Sequence, residues 1–189
     1  MISHEIPGRT NCGAILGGRH GEGVSRAARG EAMTVFVSTF VNRIDRKGRV
    51  SVPATFRAAL RNQEFEGIVA FPTLGQPAFE GCGMDFMERL SASVDEFDMF
   101  SPKRDELAAI VFADAHQLPF DGEGRISLPA AMIEHCGIEA EVAFVGRGKS
   151  FQIWEPATFR AHAAEVRRRA LSEGATLPVR PVAPGGKAP

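Results

Sequence analysis

Apolar residues fall along this chain in two kinds of run. Short aliphatic tracts at residues 50–52, 68–71, 126–128 and 142–145 are bounded by polar turn residues, the length and setting of β-strands. Other stretches carry their apolar residues on one helical stripe: Phe56, Ala59 and Leu60 in the first, Met132, Ile133 and Cys136 in the second. Pro53 and Pro129 stand just ahead of these stripes, and proline suits a helix's first position because its missing N–H would be unsatisfied there anyway. Gly137 closes the second stripe. Amphipathic patterning predicts further helices over residues 84–94 and 102–111, the latter with Ser101 as N-cap and Pro102 in its first position. A last helix spans residues 156–171 and ends in Arg167, Arg168 and Arg169, cations that complement a helix C-terminus. The core runs from about Val35 to Leu171.

The pattern occurs twice. Asp45-Arg-Lys-Gly48-Arg49-Val-Ser51-Val-Pro53 returns 76 residues later as Asp121-Gly-Glu-Gly124-Arg125-Ile-Ser127-Leu-Pro129, agreeing at Asp, Gly, Arg, Ser and Pro. Beyond the helices, residues 68–71 match 142–145, while Phe79 and Phe86 match Phe151 and Phe159 at offsets of 72 and 73, a difference of small loop indels. The chain is a tandem duplication of a unit that reads β-β-α-β-β-α. Within each unit the Asp and the Arg four residues on lie at the two ends of a tight turn. There the carboxylate can accept backbone N–H bonds and restrain the guanidinium.

An Asp-x-x-x-Arg turn running into Gly-Arg-Val-Ser-Val-Pro (residues 48–53), with an amphipathic helix behind it, resembles the swapped-hairpin β-barrel of AbrB-type DNA-binding domains. Two copies at this spacing, with Ser-Thr-Phe-Val-Asn-Arg-Ile-Asp at residues 38–45, Glu-Val-Ala-Phe-Val-Gly at 141–146 and Phe-Gln-Ile-Trp at 151–154, resemble the MraZ family of bacterial division and cell-wall cluster regulators. The resemblance covers roughly residues 33–169, and the duplicated motif makes it specific. It implies an α+β fold of two tandem AbrB-like swapped-hairpin β-barrel units, packed as a pseudo-dimer with amphipathic helices. On this reading residues 33–83 form the first unit, 84–112 a helical connector, 113–156 the second unit and 157–171 a C-terminal helix. The resemblance also implies a transcriptional regulator that binds double-stranded DNA at short direct repeats in the promoter of its own division and cell-wall operon. It would do so as a ring-like homo-oligomer, in the cytoplasm at the nucleoid and without a cofactor. Arg43, Arg49 and Arg57 sit where AbrB-type domains place contacting arginines.

Charge locates the surface that DNA would meet. The net charge of −1 conceals an asymmetry, because residues 43–61 hold six basic side chains (Arg43, Arg46, Lys47, Arg49, Arg57 and Arg61) against one acidic, Asp45. Residues 121–147 hold two basic against five acidic, and the connector, residues 85–106, holds three against seven. The first copy is therefore the candidate phosphate-facing surface, and the connector is expected to lie away from DNA. Arg46, Lys47 and Arg57 are expected mainly to neutralise phosphates, and Arg43 and Arg49 to read base edges, guanine being the natural bidentate partner. Arg57, on a helix, could equally be a solvated surface residue. Asp45, Gly48, Asp121, Gly124 and Arg125 are read as structural turn residues, with Arg125 held in an ion pair within its own turn.

Other chemistries find little support. Residues 143–150 satisfy the permissive phosphate-loop pattern, but a strand rather than a helix is expected at 151–154, and a hairpin turn at 146–149 explains the same residues. Asp45 and Asp121 each have an Arg four residues on, which would hold them ionised instead of letting them share a proton as an aspartic-protease pair does. Cys12, Cys82 and Cys136 are odd in number and widely spaced, and His116, His135 and His162 lack ligand spacing, so neither disulfides nor a metal site is expected. The cysteine pattern suits a reducing cytoplasm. The longest apolar runs, such as residues 107–113, fall far short of the roughly 20 needed to cross a bilayer. Residues 1–32 are glycine-rich and aperiodic, and residues 172–189 are rich in Pro and Gly, so both ends are expected to be disordered. For residues 1–32 the favoured expectation is instead that translation starts at Met33; an intact mass of the endogenous protein beginning at residue 1 would refute that. Two rival classes stay open: an oligomeric protein-binding scaffold, which the acidic second copy favours, and an enzyme, for which no constellation is found.

Overall fold

A computed structural model describes residues 35–178, which lie in the compact unit Met33–Pro189. The expectations for residues 1–32, and for the tail beyond residue 178, fall outside the described residues. The elements run β1 (Thr39–Arg43), β2 (Arg49–Ser51), α1 (Ala54–Ala59), β3 (Gly67–Pro72), β4 (Phe79–Cys82), α2 (Met84–Asp95), α3 (Pro102–Ala108), β5 (His116–Pro119), β6 (Arg125–Ser127), α4 (Ala130–Cys136), β7 (Glu141–Gly146), β8 (Phe151–Trp154) and α5 (Pro156–Ser172). The order β-β-α-β-β-α thus appears twice, with α3 added between the repeats.

Strand pairing crosses between the copies. A six-stranded sheet has the order β1-β7-β8-β4-β3-β5, and β2 and β6 form a separate two-stranded ribbon. Every pairing is antiparallel. In the sheet, β1 of the first copy pairs with β7 of the second, and β5 of the second pairs with β3 of the first. The copies do not form two separate barrels: neither closes a sheet of its own, and each first strand completes the other copy's half. The ends of those strands repeat the exchange, with Ile44 N–H bonded to Ala140 O at 3.0 Å and Phe120 N–H to Glu66 O at 2.9 Å.

Alternation along the strands distributes side chains between two faces. Ile68 and Ala70 of β3, with Val142 and Phe144 of β7, join the main core beside Val50 and Ile126 of the ribbon and Phe56 and Met132 of the short helices. On the opposite face, Val69 and Phe71 pack with Met87 and Leu90 of α2 and with Val111 and Phe112. Ala143 and Trp154 pack there with Phe159 of α5. The connector therefore covers one half of the sheet's back and α5 the other, giving three layers.

Helix ends differ from expectation in detail. Pro53 and Pro129 occupy the cap positions, one residue before the first helical residue, with extended ψ of 137° and 149°. Their carbonyls accept the first N–H bonds of each helix, as in Arg57 N–H to Pro53 O at 3.0 Å. Ser101 caps α3 through its backbone alone, and beyond Ala108 the helix widens into a π-helical turn, Ala109–Ala113. At α5, Glu155 caps in full, accepting from the N–H groups of Ala157 and Thr158. Gly137 ends α4 in the left-handed conformation, and β7 and β8 form a hairpin across residues 147–150.

Phe56 is the hub of the main core. It is 1% exposed and its ring centroid lies 5.1 Å from Phe36, 5.5 Å from Phe40 and 5.1 Å from Phe151. Phe56→Ala should cost about 3–5 kcal/mol in chemical denaturation, the usual range for emptying a core aromatic site. A loss below about 1 kcal/mol would show that this cluster is not the centre of packing.

Candidate nucleic-acid interface

Two Asp-x-x-x-Arg turns are built alike, hydrogen bond for hydrogen bond. In the first, Gly48 N–H bonds to Asp45 O and Asp45 N–H to Arg49 O, each at 2.9 Å; in the second, Gly124 bonds to Asp121 and Asp121 to Arg125 at the same distances. Both glycines are left-handed, with φ of 77° and 73°, which an L side chain adopts only under strain. The Asp45 carboxylate takes the Lys47 and Arg49 N–H groups on one oxygen, both at 2.9 Å, and the Arg49 Nε–H on the other at 2.8 Å. Asp121 does the same for Glu123 and Arg125, with identical distances.

These bonds to the ionised form, Arg49 N–H first and its guanidinium second, hold the Asp45 carboxyl at about 2, below its ordinary 3.8. Asp121 is lowered for the same reason, led by the Arg125 N–H, and the Asp121 side chain in turn raises Arg125. Asp45 also contributes to holding the charge on Arg125, so the two turns share one electrostatic neighbourhood.

What joins them is the ribbon. Arg49 pairs with Ser127, Val50 with Ile126 and Ser51 with Arg125. Val50 and Ile126 are buried, so alternation turns Arg49, Ser51, Arg125 and Ser127 to the outer face. The two arginines stand diagonally across the ribbon, roughly 7–8 Å apart by the usual spacing of such neighbours. Asn42 braces it from β1, its Nδ2 donating to Ser51 O at 2.7 Å.

The turns differ in charge. Arg46 and Lys47 are exposed and form no ion pair among the described residues, whereas Glu123 reaches Arg125 at 2.6 Å. Asp45 restrains Arg49 as Asp121 restrains Arg125, with Arg49 Nη2 2.7 Å from Asp45 Oδ2. Arg57, expected as a phosphate contact or else a solvated helix residue, is half-buried and lies against Gly124 of the other copy's turn. Arg43, at the far end of β1, is exposed and pairs in register with Glu141. It lines a cavity of about 670 Å³ with Glu139, Glu141, Glu155 and Arg160, surroundings that linear charge counting missed.

Other reactive groups are occupied structurally. Burial pushes the Cys82 and Cys136 thiols up to about 12. His116 and His135 pack on Phe79, and His162 stacks on Trp154. Among the described residues no group of three or more His, Cys, Asp and Glu side chains could hold a metal, and no helix is long and apolar enough to cross a membrane.

The transcriptional regulator MraZ of Rickettsia bellii (strain OSU 85-389) is 44% identical over 146 residues, 77% of this chain and 97% of that protein. The chain belongs to the MraZ family. The family model described as "MraZ protein, putative antitoxin-like" matches residues 111–177. The MraZ regulator of Pelagibacter ubique (strain HTCC1062) is 43% identical over 143 residues, 76% of this chain and 92% of the relative. That of Rickettsia akari (strain Hartford) is 40% identical over 145 residues, 77% and 97%.

Because the Asp45 carboxyl is lowered on folding, it contributes stability above its ordinary value of 3.8 that is lost as pH falls from there through about 2. Asp45→Asn should therefore have a lower melting temperature near neutral pH and a shallower loss between pH 4 and 2 than the wild-type chain. Parallel melting curves across that interval would contradict the role given to this carboxylate.

Proposed function

We propose that this chain is a sequence-specific DNA-binding transcriptional regulator of a division and cell-wall gene cluster, and that the β2–β6 ribbon carries its reading face. The observation behind this is the placement of Arg49 and Arg125 on the outer face of one ribbon, each guanidinium aimed by a carboxylate. A two-stranded antiparallel ribbon fits the B-DNA major groove, about 12 Å wide. Its outward-facing, half-buried arginines are then the natural readers of guanine, while Arg46 and Lys47 on the basic turn neutralise phosphates. Arg43 stands as a further contact at the end of β1. The crossed pairing of the copies is what a duplicated AbrB-like swapped-hairpin domain would produce, and the names of the relatives, transcriptional regulators, agree with this use.

One protomer offers a single small basic turn. A ring-like homo-oligomer bound to promoter repeats would convert weak contacts into avid binding, and would work in the cytoplasm at the nucleoid. A second reading, an oligomeric scaffold that binds protein, draws on the acidic second turn and the carboxylates around Arg43. Salt separates them, since phosphate contacts make affinity fall steeply with ionic strength.

In a mobility-shift assay on DNA just upstream of its own gene, with excess unrelated competitor, the chain should give a specific shift and Arg49→Ala should lose it while keeping its oligomeric state. One lost bidentate base contact is worth about 1–3 kcal/mol, roughly tenfold to a hundredfold in affinity. Full affinity of the variant for this DNA would overturn the assignment.

A further inference from the structure

Each short helix of the repeat stands on the turn of the other copy. Ile133 on α4 puts its Cδ1 3.5 Å from where a Cβ on Gly48 would be, and its counterpart 76 positions earlier, Arg57 on α1, meets Gly124. The second contact is far closer, because a Cβ on Gly124 would overlap Arg57 Nη1 and Cζ. Gly124 is consequently buried within an otherwise exposed turn. Arg57 Nε–H also donates to Val52 O at 3.2 Å, and Val52 N–H donates to Gly124 O at 3.1 Å. The guanidinium thus ties the end of β2 to the second turn. The divergence between the copies follows the charge of the turns: Arg57 lies against the turn that holds Asp121 and Glu123, and Ile133 against the turn that holds Arg46 and Lys47.

We propose that Arg57 is a positioning residue of the ribbon and not a phosphate contact: its guanidinium fixes the Gly124 turn against β2, and thereby sets where Arg125 stands relative to Arg49. This rests on the ribbon being the DNA-reading face. A lysine in its place carries the charge but lacks the planar fork that covers the glycine while its Nε–H bonds Val52, so charge alone does not substitute.

Two measurements on the full chain decide the matter. The first is the affinity for DNA from upstream of its gene over a salt series, for wild type, Arg57→Ile, Arg57→Lys and Lys47→Ala. Arg57→Ile adopts the residue used at the matching position of the other copy. It should bind about tenfold more weakly with an unchanged slope of log affinity against log salt, and Arg57→Lys should not recover the loss. Lys47→Ala should flatten the slope by about one, as removal of a phosphate contact does. A flattened slope in Arg57→Ile with full recovery in Arg57→Lys, or unchanged affinity in both, would overturn the proposal. The second is hydrogen exchange at two symmetry-related amides, Val52, bonded to Gly124 O, and Leu128, bonded to Gly48 O at 2.8 Å. Arg57→Ile should speed exchange at Val52 and leave Leu128 as it was; equal rates at Val52 in both proteins would remove the strut. If the wild-type chain shows no specific binding, the ribbon reading fails, and the exchange comparison still decides what Arg57 does.

Discussion

A strand of three residues cannot persist unpaired, and β2 and β6 pair along their length only with each other among the described strands, a single bridge from Ile44 to Val50 apart. That pairing constrains nearly everything around it. Val50 and Ile126 must face the core for the ribbon to adhere, and a one-residue slip would bury Arg49 and Arg125 instead, so the hydrophobic pattern fixes the register. The register places both turns at opposite ends of one ribbon and brings each following helix beside the other copy's turn. The bonds flanking the ribbon, Val52 N–H to Gly124 O and Leu128 N–H to Gly48 O, show the same reciprocity. Neither half of the duplication could build this surface alone.

Within that frame the ion pairs aim more than they stabilise. The side chains of Arg49 and Asp45 are 36% and 39% exposed, a setting in which ion pairs add little to stability. Their value is geometric. A guanidinium held through Nε by a carboxylate, itself held by two backbone N–H groups, has lost most of its rotamer freedom before any partner arrives, which lowers the entropy lost on binding. The backbone is two-fold symmetric in its hydrogen bonds, yet its charges are not: one turn carries Arg46 and Lys47, the other Glu123. A symmetric ribbon with one basic and one acidic end has a direction, and a nucleic-acid partner would meet its two ends differently.

The duplication and the element order were legible in the sequence because both rest on local patterns: a nine-residue motif repeated, aliphatic runs of strand length and stripes of helical spacing. The crossing was not, since periodicity shows that residues 49–51 form a strand but not which strand they pair with. Arg57 shows the same limit. Seen on its own helix it is a polar residue on an open face, and only the fold brings Gly124 beneath it. A signal did exist, in the mismatch of Arg57 with Ile133 between otherwise matching copies. Chain proximity puts Arg43 with the basic turn but does not show that the sheet sets it opposite Glu141.

The most direct measurement is an amide chemical-shift map of the labelled chain as promoter DNA is added. Perturbations should gather at residues 46–51 and 125–127, on both strands of the ribbon and strongest at the basic turn. Shifts confined to α5 or to the outer strands β1 and β5, with the ribbon amides unmoved, would contradict a reading face built jointly by the two copies.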